Sequence, residues 1–411
     1  MPSGSPWLAP GALAFGATEV AFLALYATTV LFVPSHAALV RLTAVVALFA
    51  LTYMLQDAFF QWTSNPHWRG FTAASLPVQL MSASDIIFIT RLNSTAIRGR
   101  TILHQAYRAI VLLLNQRRIG TIWQVKNVPP TTTSSRTTFL RSRLATTLLA
   151  YLALDALTSG PTPPAAMIAP QKQTLLPAQL STLSRADLTF RLSSSLLYWL
   201  SGFLLLLLVS NALALPLVAT GLSSPHDRPP LFGALADAYS LRRCWGAVWH
   251  QCLRRGLTAH ADFVADRVLR IPRGCTLLSR YARLFAAFGL SGLVHHVCVR
   301  AMGVPPAESG ALVFFLLQAL GIVVEDAVQA VCGVGRAAGS GAGAGAGRGL
   351  FARMNAGLRR GIGYVWVVAF VAWSSPTWFY AQSRVGTDPE ILLPVRVARP
   401  LVGMLKGFVR A

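Results

Sequence analysis

Residues 194–220, SSLLYWLSGFLLLLLVSNALALPLVAT, hold no charged side chain. About 20 apolar residues are enough to cross a hydrocarbon layer as a helix, and a stretch this long and apolar has no use on a water-facing surface. It does not stand alone. Further apolar runs lie at 11–33, 37–56, 284–300, 310–332 and 361–381, with two shorter ones at 75–90 and 144–157. Only 12% of the 411 residues are charged, where soluble domains carry about a quarter, so an ordinary hydrated surface is excluded. The expected fold is an all-α, multi-pass membrane helix bundle of about seven to nine transmembrane helices plus an interfacial amphipathic helix.

Charge is lopsided: 36 Lys and Arg face 14 Asp and Glu, a formal net charge of +22. In a soluble chain that balance would point to nucleic acid. Here the cations lie between apolar spans, so lipid headgroups, the positive-inside bias and an anionic co-substrate account for them, and no nucleic-acid partner is expected. Residues 91–143 hold ten Lys or Arg and no acid, 241–283 nine Arg against Asp262 and Asp266, and 333–360 five Arg and no acid. All three are expected on the cytoplasmic side. The tail, one span further on, is also basic (Arg384, Arg396, Arg399, Lys406, Arg410) and fits that alternation only by re-entering along the interface or by a change in the span count.

The organisation read from these features is four-part. Residues 1–90 are N-terminal transmembrane helices, 91–143 a basic cytoplasmic loop, 144–385 a core, and 386–411 a basic tail. MPSGSPWLAP lacks the basic start of a signal peptide, and the apolar stretch after it is long enough to be a first span. Residues 158–178 are Pro-rich and linker-like, and 333–349, GVGRAAGSGAGAGAGRG, resembles a flexible linker. The five cysteines form no CxxC pair and no disulfide framework.

Three stretches carry candidate chemistry. In SLRRCWGAVWHQCLRRG (240–256), helical spacing places Leu241, Trp245, Val248, Trp249 and Cys252 on one stripe and Arg243, Ala247, His250 and Arg254 on another. This predicts an amphipathic helix lying in the interface. It serves either as a membrane anchor or, through His250 between two arginines, as a face for a phosphate-rich ligand. In FGLSGLVHHVCV (288–299), His295 and His296 sit inside a predicted span, where an ionisable residue is a functional candidate. Neighbours on a helix point about 100° apart, so the two cannot share a pocket. His295 lies about 18 Å along the axis from Arg283, past mid-bilayer. Its competing reading is a neutral histidine bonded between helices, and Ser291, one turn away, is either its partner or a small packing residue. In FFLLQALGIVVEDAVQ (314–329), Glu325 and Asp326 are either interior acids or a span end at the lipid–water boundary, the second being the expectation; Glu19 and Asp57 pose the same alternatives. No metal site is expected: the histidines are scattered without HxxxH or HExxH, and the cysteine spacing fits no zinc pattern.

The run SLRRCWGAVWHQCLRR, followed some forty residues later by SGLVHH, resembles the wax-synthase-like branch of the membrane-bound O-acyltransferases. RRIGTIWQVKNVPP (117–130), LLQALGIVVEDAV (316–328) and GIGYVWVVAFVAWSSPTWFY (361–380) are similar to the version found in fungal secondary-metabolite pathways. CWGAVWH (244–250) also resembles the FYxDWWN signature of sterol and diacylglycerol acyltransferases, with Cys244 and Ala247 departing from it and His250 standing where that branch has Asn. The resemblance implies acyl transfer within the membrane, from acyl-CoA (acetyl-CoA) as co-substrate, with no permanently bound cofactor, to a hydroxyl of a lipophilic alcohol. It implies His295 as catalytic base and His250 as the second motif residue, orienting the thioester or stabilising its oxyanion. Trp245, Trp249, Arg243 and Arg254 are the expected substrate-binding residues, the arginines facing CoA phosphates. The implied location is integral in the endoplasmic reticulum membrane. A long-chain wax-ester synthase is the alternative acyltransferase. A secondary transporter is the alternative of another class, and it predicts paired, interrupted spans in two matching halves that the sequence does not display.

Overall fold

Helices supply the regular secondary structure of the described residues in a computed structural model, which describes residues 9–97, 99–131, 135–174, 184–273, 276–331, 354–385 and 392–398. In chain order the main helices are α1 Pro10–Phe32, α2 Ala38–Trp62, α3 Pro66–Ser84, α4 Ile102–Leu114, α5 Arg136–Thr158, α6 Arg185–Ala219, α7 Arg254–Phe263, α8 Thr276–Ala301, α9 Ala311–Val331, α10 Ala356–Ser374 and α11 Pro376–Arg384. Among the described residues, six helices are long and apolar enough to cross a membrane, seven if the pair α10–α11, bent by 40°, is one span. With the bent pair counted, the number meets the lower end of the expected range. The stretch 144–157 forms helix, but α5 begins with Arg136, Arg141 and Arg143 and is not apolar enough to be one of these spans. The polytopic all-α bundle itself is what the chain forms.

The helices start and run as lipid requires. Pro10 and Pro66 open α1 and α3 at the position where a missing N–H costs nothing. Asn65 caps α3 by accepting from the N–H groups of His67 and Trp68 at 3.0 and 3.3 Å. Ser184 caps α6 in a reciprocal capping box with Asp187. Threonines within α1 return their hydroxyls to carbonyls one turn back, Thr18 to Ala14 and Thr29 to Leu25, so these hydroxyls are paired within their own helix. Large side chains such as Leu39, Val46, Phe49 and Tyr53 on α2 stay exposed, as a lipid-facing surface demands. With 35 residues, α6 is about 52 Å long and exceeds the hydrocarbon thickness.

The chain divides into two compact units, neither continuous in sequence. One comprises Met1–Val125, Cys252–Leu312 and Ala381–Pro394; the other comprises Lys126–Gln251, Val313–Tyr380 and Val395–Ala411. The first unit packs α1 on α2, α3 on α8 and α7 on α8. Its core contains Phe22, Tyr26, Leu48, Leu55, Leu76, Ile86, Ile87 and Leu113. Arg41, fully buried on α2, donates to the carbonyls of Val33, Pro34, Ile87 and Leu92 and so ties the end of α1 to the π-helical turn Asp85–Ile89 that follows α3. Residues 91–143 are not only loop, since they include α4 and the first turns of α5.

The second unit packs α5 and α10 on α6. The linker-like stretch 158–178 is in part built structure: Ile168 is buried against Phe379 and Tyr380, and Gln173 donates to the Thr377 carbonyl at 2.8 Å. The Gly/Ala tract 333–349 lies outside the described residues, as do Arg399, Lys406 and Arg410 of the tail. Arg396 is bonded to the buried Asp155 at 2.9 Å in the second unit. Arg384 pairs with Glu308 at 2.8 Å in the first.

Candidate active site

His295 belongs to the first unit, on α8, and is half-buried. Its Nδ1 lies 2.8 Å from the Ser291 carbonyl one turn back. A carbonyl only accepts, so Nδ1 carries the ring proton and Nε2 is the basic nitrogen. The Ser291 side chain is not what holds the ring; its backbone is. His296 points elsewhere, with Nδ1 2.8 Å from the Ser309 hydroxyl, so the two neighbours have separate surroundings as helical geometry demands.

The Trp-rich motif belongs to the second unit and is not one amphipathic helix. A single turn, Leu241–Arg243, passes into a π-helical turn, Cys244–Val248, and Trp249 leaves it in extended conformation at φ −68° and ψ 152°. Regular helix resumes only at Arg254, in the other unit. The expected interfacial helix over 240–256 is therefore broken, and the stripes that continue across the break do not exist. Two causes are local. The Gln251 amide donates to the carbonyls of Trp245 (3.0 Å) and Trp249 (2.5 Å), occupying acceptors that a continuing helix would need. Gly233 lies so close that a Cβ there would collide with the Ala247 carbonyl, and its N–H donates to Val248 at 2.8 Å. π-Turns of this kind recur at functional sites because they re-aim side chains.

Trp245 and Trp249 pack in an aromatic cluster. Trp199 meets both, at ring-centroid distances of 5.7 and 5.0 Å, together with Phe314 and Trp378. His250 sits at the edge of this cluster, 5.5 Å from the Trp249 ring and 6.3 Å from Phe232. The Trp245 indole donates to Gln318 Oε1 at 3.2 Å, and the Gln318 amide donates to Ser374 at 3.1 Å. Gln318 is fully buried, and sequence reasoning passed over it. The signal was present, a lone amide inside the apolar run FFLLQALG, and it is the same signal that singled out His295. Burial first, and the Glu325 charge second, push the Cys244 thiol up to about 11, which keeps it neutral and un-nucleophilic.

Glu325 is buried within the protein. It is 8% exposed, and its carboxylate accepts from the N–H of Leu241 (2.5 Å), the N–H of Arg242 (3.2 Å) and the Trp366 indole (2.9 Å). Asp326 pairs with the Arg242 guanidinium at 2.5 Å. These adjacent acids fix the start of the Trp-rich motif from α9. Replacing Glu325 with alanine would strand two backbone N–H groups and an indole. The expected cost is about 1.5–3 kcal/mol, read as a lower melting temperature of the detergent-solubilised protein, with Glu325→Gln recovering part of it.

The two arginines have different settings. Arg243 is ion-paired with Asp237 and stacks on the Tyr239 ring at 4.7 Å. Arg254 opens α7 in the other unit, half-buried, and burial holds its guanidinium below its usual pKa. His250, Arg243 and Arg254 thus do not share a helix face. Among the described residues, no three His, Cys, Asp or Glu side chains converge to hold a metal.

A profile of the membrane bound O-acyl transferase family matches residues 228–317, the stretch from before the Trp-rich motif through both α8 histidines. The acetyltransferase pyr8 of Aspergillus fumigatus is 30% identical over 359 residues, 82% of this chain and 79% of its own length. The acetyltransferase ataH of Aspergillus terreus is 31% identical over 306 residues, 71% of this chain and 94% of its own length. The acetyltransferase aurG of Calcarisporium arbuscula is 33% identical over 285 residues, 67% of this chain and 66% of its own length. No solved structure matches the chain. On the strength of these relatives and of the polytopic helical fold that carries the matched segment, the chain belongs to the membrane bound O-acyl transferase family and is an acyltransferase.

Proposed function

We propose that the protein transfers an acetyl group from acetyl-CoA to a hydroxyl of a lipophilic secondary metabolite, a terpenoid or polyketide-derived alcohol, in the endoplasmic reticulum membrane. His295 Nε2 takes the proton of the acceptor hydroxyl as its oxygen attacks the thioester carbonyl; the C–S bond breaks and CoA leaves as the thiol. The observation that carries this reading is the bond from His295 Nδ1 to the Ser291 carbonyl, which sets the tautomer a general base needs. A membrane-buried histidine also excludes the water that would hydrolyse the thioester. The acetyltransferase names of the relatives favour an acetyl donor over the long acyl chain of a wax-ester synthase.

The test incubates membranes containing the protein with radiolabelled acetyl-CoA and a panel of lipophilic alcohols. The expected result is a labelled ester in the organic phase. Label recovered only as free acetate, or an ester made only from long-chain acyl-CoA, overturns the acetyl reading. For the anionic end of the donor, Arg254→Ala is expected to raise the apparent KM for acetyl-CoA about tenfold with little change in kcat, since a charge-assisted bond contributes about 1.5–3 kcal/mol. Arg243→Ala is expected to do less, because Asp237 already neutralises that guanidinium. Unchanged donor dependence in Arg254→Ala removes it from the donor site.

A further inference from the structure

In the first unit, the last residue of α3 meets α7. Ser84 Oγ lies 2.8 Å from His260 Nε2, and His260 Nδ1 lies 2.8 Å from the Gly256 carbonyl. The carbonyl again fixes the proton on Nδ1, so Nε2 accepts and the Ser84 hydroxyl is the donor. The same hydroxyl has a second acceptor, the Met81 carbonyl, but at 3.2 Å this is the longer contact. A serine hydroxyl aimed at the basic nitrogen of a histidine whose other nitrogen is anchored is the arrangement by which a nucleophile is activated. Ser84 is 9% exposed and stands at the junction where α3 gives way to the π-turn Asp85–Ile89. A narrow crevice in the same unit is lined by Met81, Ser82, Arg118, Cys252, Arg255 and Gly256, the last being the residue that anchors His260; Ser84 and His260 are not in its lining. The acid next in sequence, Asp85, is engaged by Arg118, Arg255 and Thr90 and takes no part in the pair. None of this is required for alcohol acylation by His295.

We infer that Ser84 and His260 form a second reactive centre, an acylatable serine that hydrolyses acyl-CoA when no alcohol is present. Ser84 Oγ attacks the thioester carbonyl while its proton passes to His260 Nε2. The C–S bond breaks, the leaving thiolate takes that proton as CoA thiol, and Ser84 carries the acyl ester. Water, deprotonated by the same nitrogen, then attacks the ester and releases the carboxylic acid, restoring the serine. The inference rests on the acyl-CoA donor proposed above.

The experiment uses the purified full chain in detergent and follows CoA thiol release from acetyl-CoA without an alcohol, with acid-quenched protein analysed for label on Ser84. The expected result is slow release, with a label stable to neutral hydroxylamine, which would strip a cysteine thioester. Ser84→Ala and His260→Gln, the latter keeping hydrogen-bonding groups, are each expected to lower release by at least tenfold while ester formation with an alcohol persists. Release unchanged in Ser84→Ala, or label confined to cysteine, overturns the inference. If acetyl-CoA gives neither release nor ester, the donor reading has failed, and a fluorophosphonate probe decides the serine separately. Labelling at Ser84 that His260→Gln abolishes supports the centre, and absence of labelling at Ser84 overturns it.

Discussion

Replacing His295 with alanine is expected to lower acyl transfer by about 10²–10⁴-fold, the range a general base contributes. The bond from its Nδ1 runs to a carbonyl of its own helix, so losing it costs the fold only about 0.5–1.5 kcal/mol. Expression, membrane insertion and detergent extraction should match the parent protein, and the labelled-ester assay alone should collapse. Retention of more than about a tenth of the rate contradicts the assignment. His296→Ala is the control beside it: its ring is held by Ser309 on a different side, so activity should survive. His250→Ala is expected to reduce the rate less than His295→Ala. Equal losses would promote His250 from an orienting group to an equal partner in the chemistry.

The largest effect on stability is expected at Asp85. Its carboxylate is 1% exposed and takes a two-pronged grip from Arg255, at 2.8 and 3.0 Å, and a longer contact from Arg118 at 3.5 Å. Arg118 is itself buried; desolvation pulls its pKa down and the Asp85 charge pushes back. In Asp85→Ala that guanidinium keeps the burial and loses the counter-charge, a loss of about 3–5 kcal/mol. Little folded protein should survive extraction at the temperature where the parent is stable. The double variant Asp85→Ala with Arg118→Met should recover part of the loss, because removing both charges is far cheaper than stranding one. A thermal-unfolding series in detergent checks this, and an Asp85→Ala protein as stable as the parent would show that Arg118 is hydrated.

Much of the fold was legible because lipid imposes a simple rule on sequence: long apolar runs become helices, as 11–33, 37–56 and 194–220 did. The break after Val248 was not legible. Leu241, Trp245, Val248, Trp249 and Cys252 keep helical spacing through it, and the Gln251 amide that turns the backbone is a side-chain hydrogen bond with no periodicity. The role of Glu325 was hidden for a related reason. An acid near the end of an apolar run reads as a boundary unless one knows which N–H groups will be brought to it, and those of Leu241 and Arg242 are more than eighty positions away. His295 stood out because an imidazole in hydrocarbon is costly. Ser84 did not, since its partner His260 lies 176 positions away and serine in a helix is unremarkable.

The interleaved make-up of the two units bears on biogenesis. Translation delivers α1 to α4 first, yet α8, against which α3 packs, follows only after the ribosome has read through α5 and α6, and the first unit's last segment, from Ala381, comes only after α9 and α10. The nascent chain must therefore hold unsatisfied helix faces in the bilayer while the intervening residues of the other unit are translated, a burden on insertion machinery that grows with such sequence separation. A premature stop just upstream of Ala381 would spare both sequence motifs and still leave the first unit open.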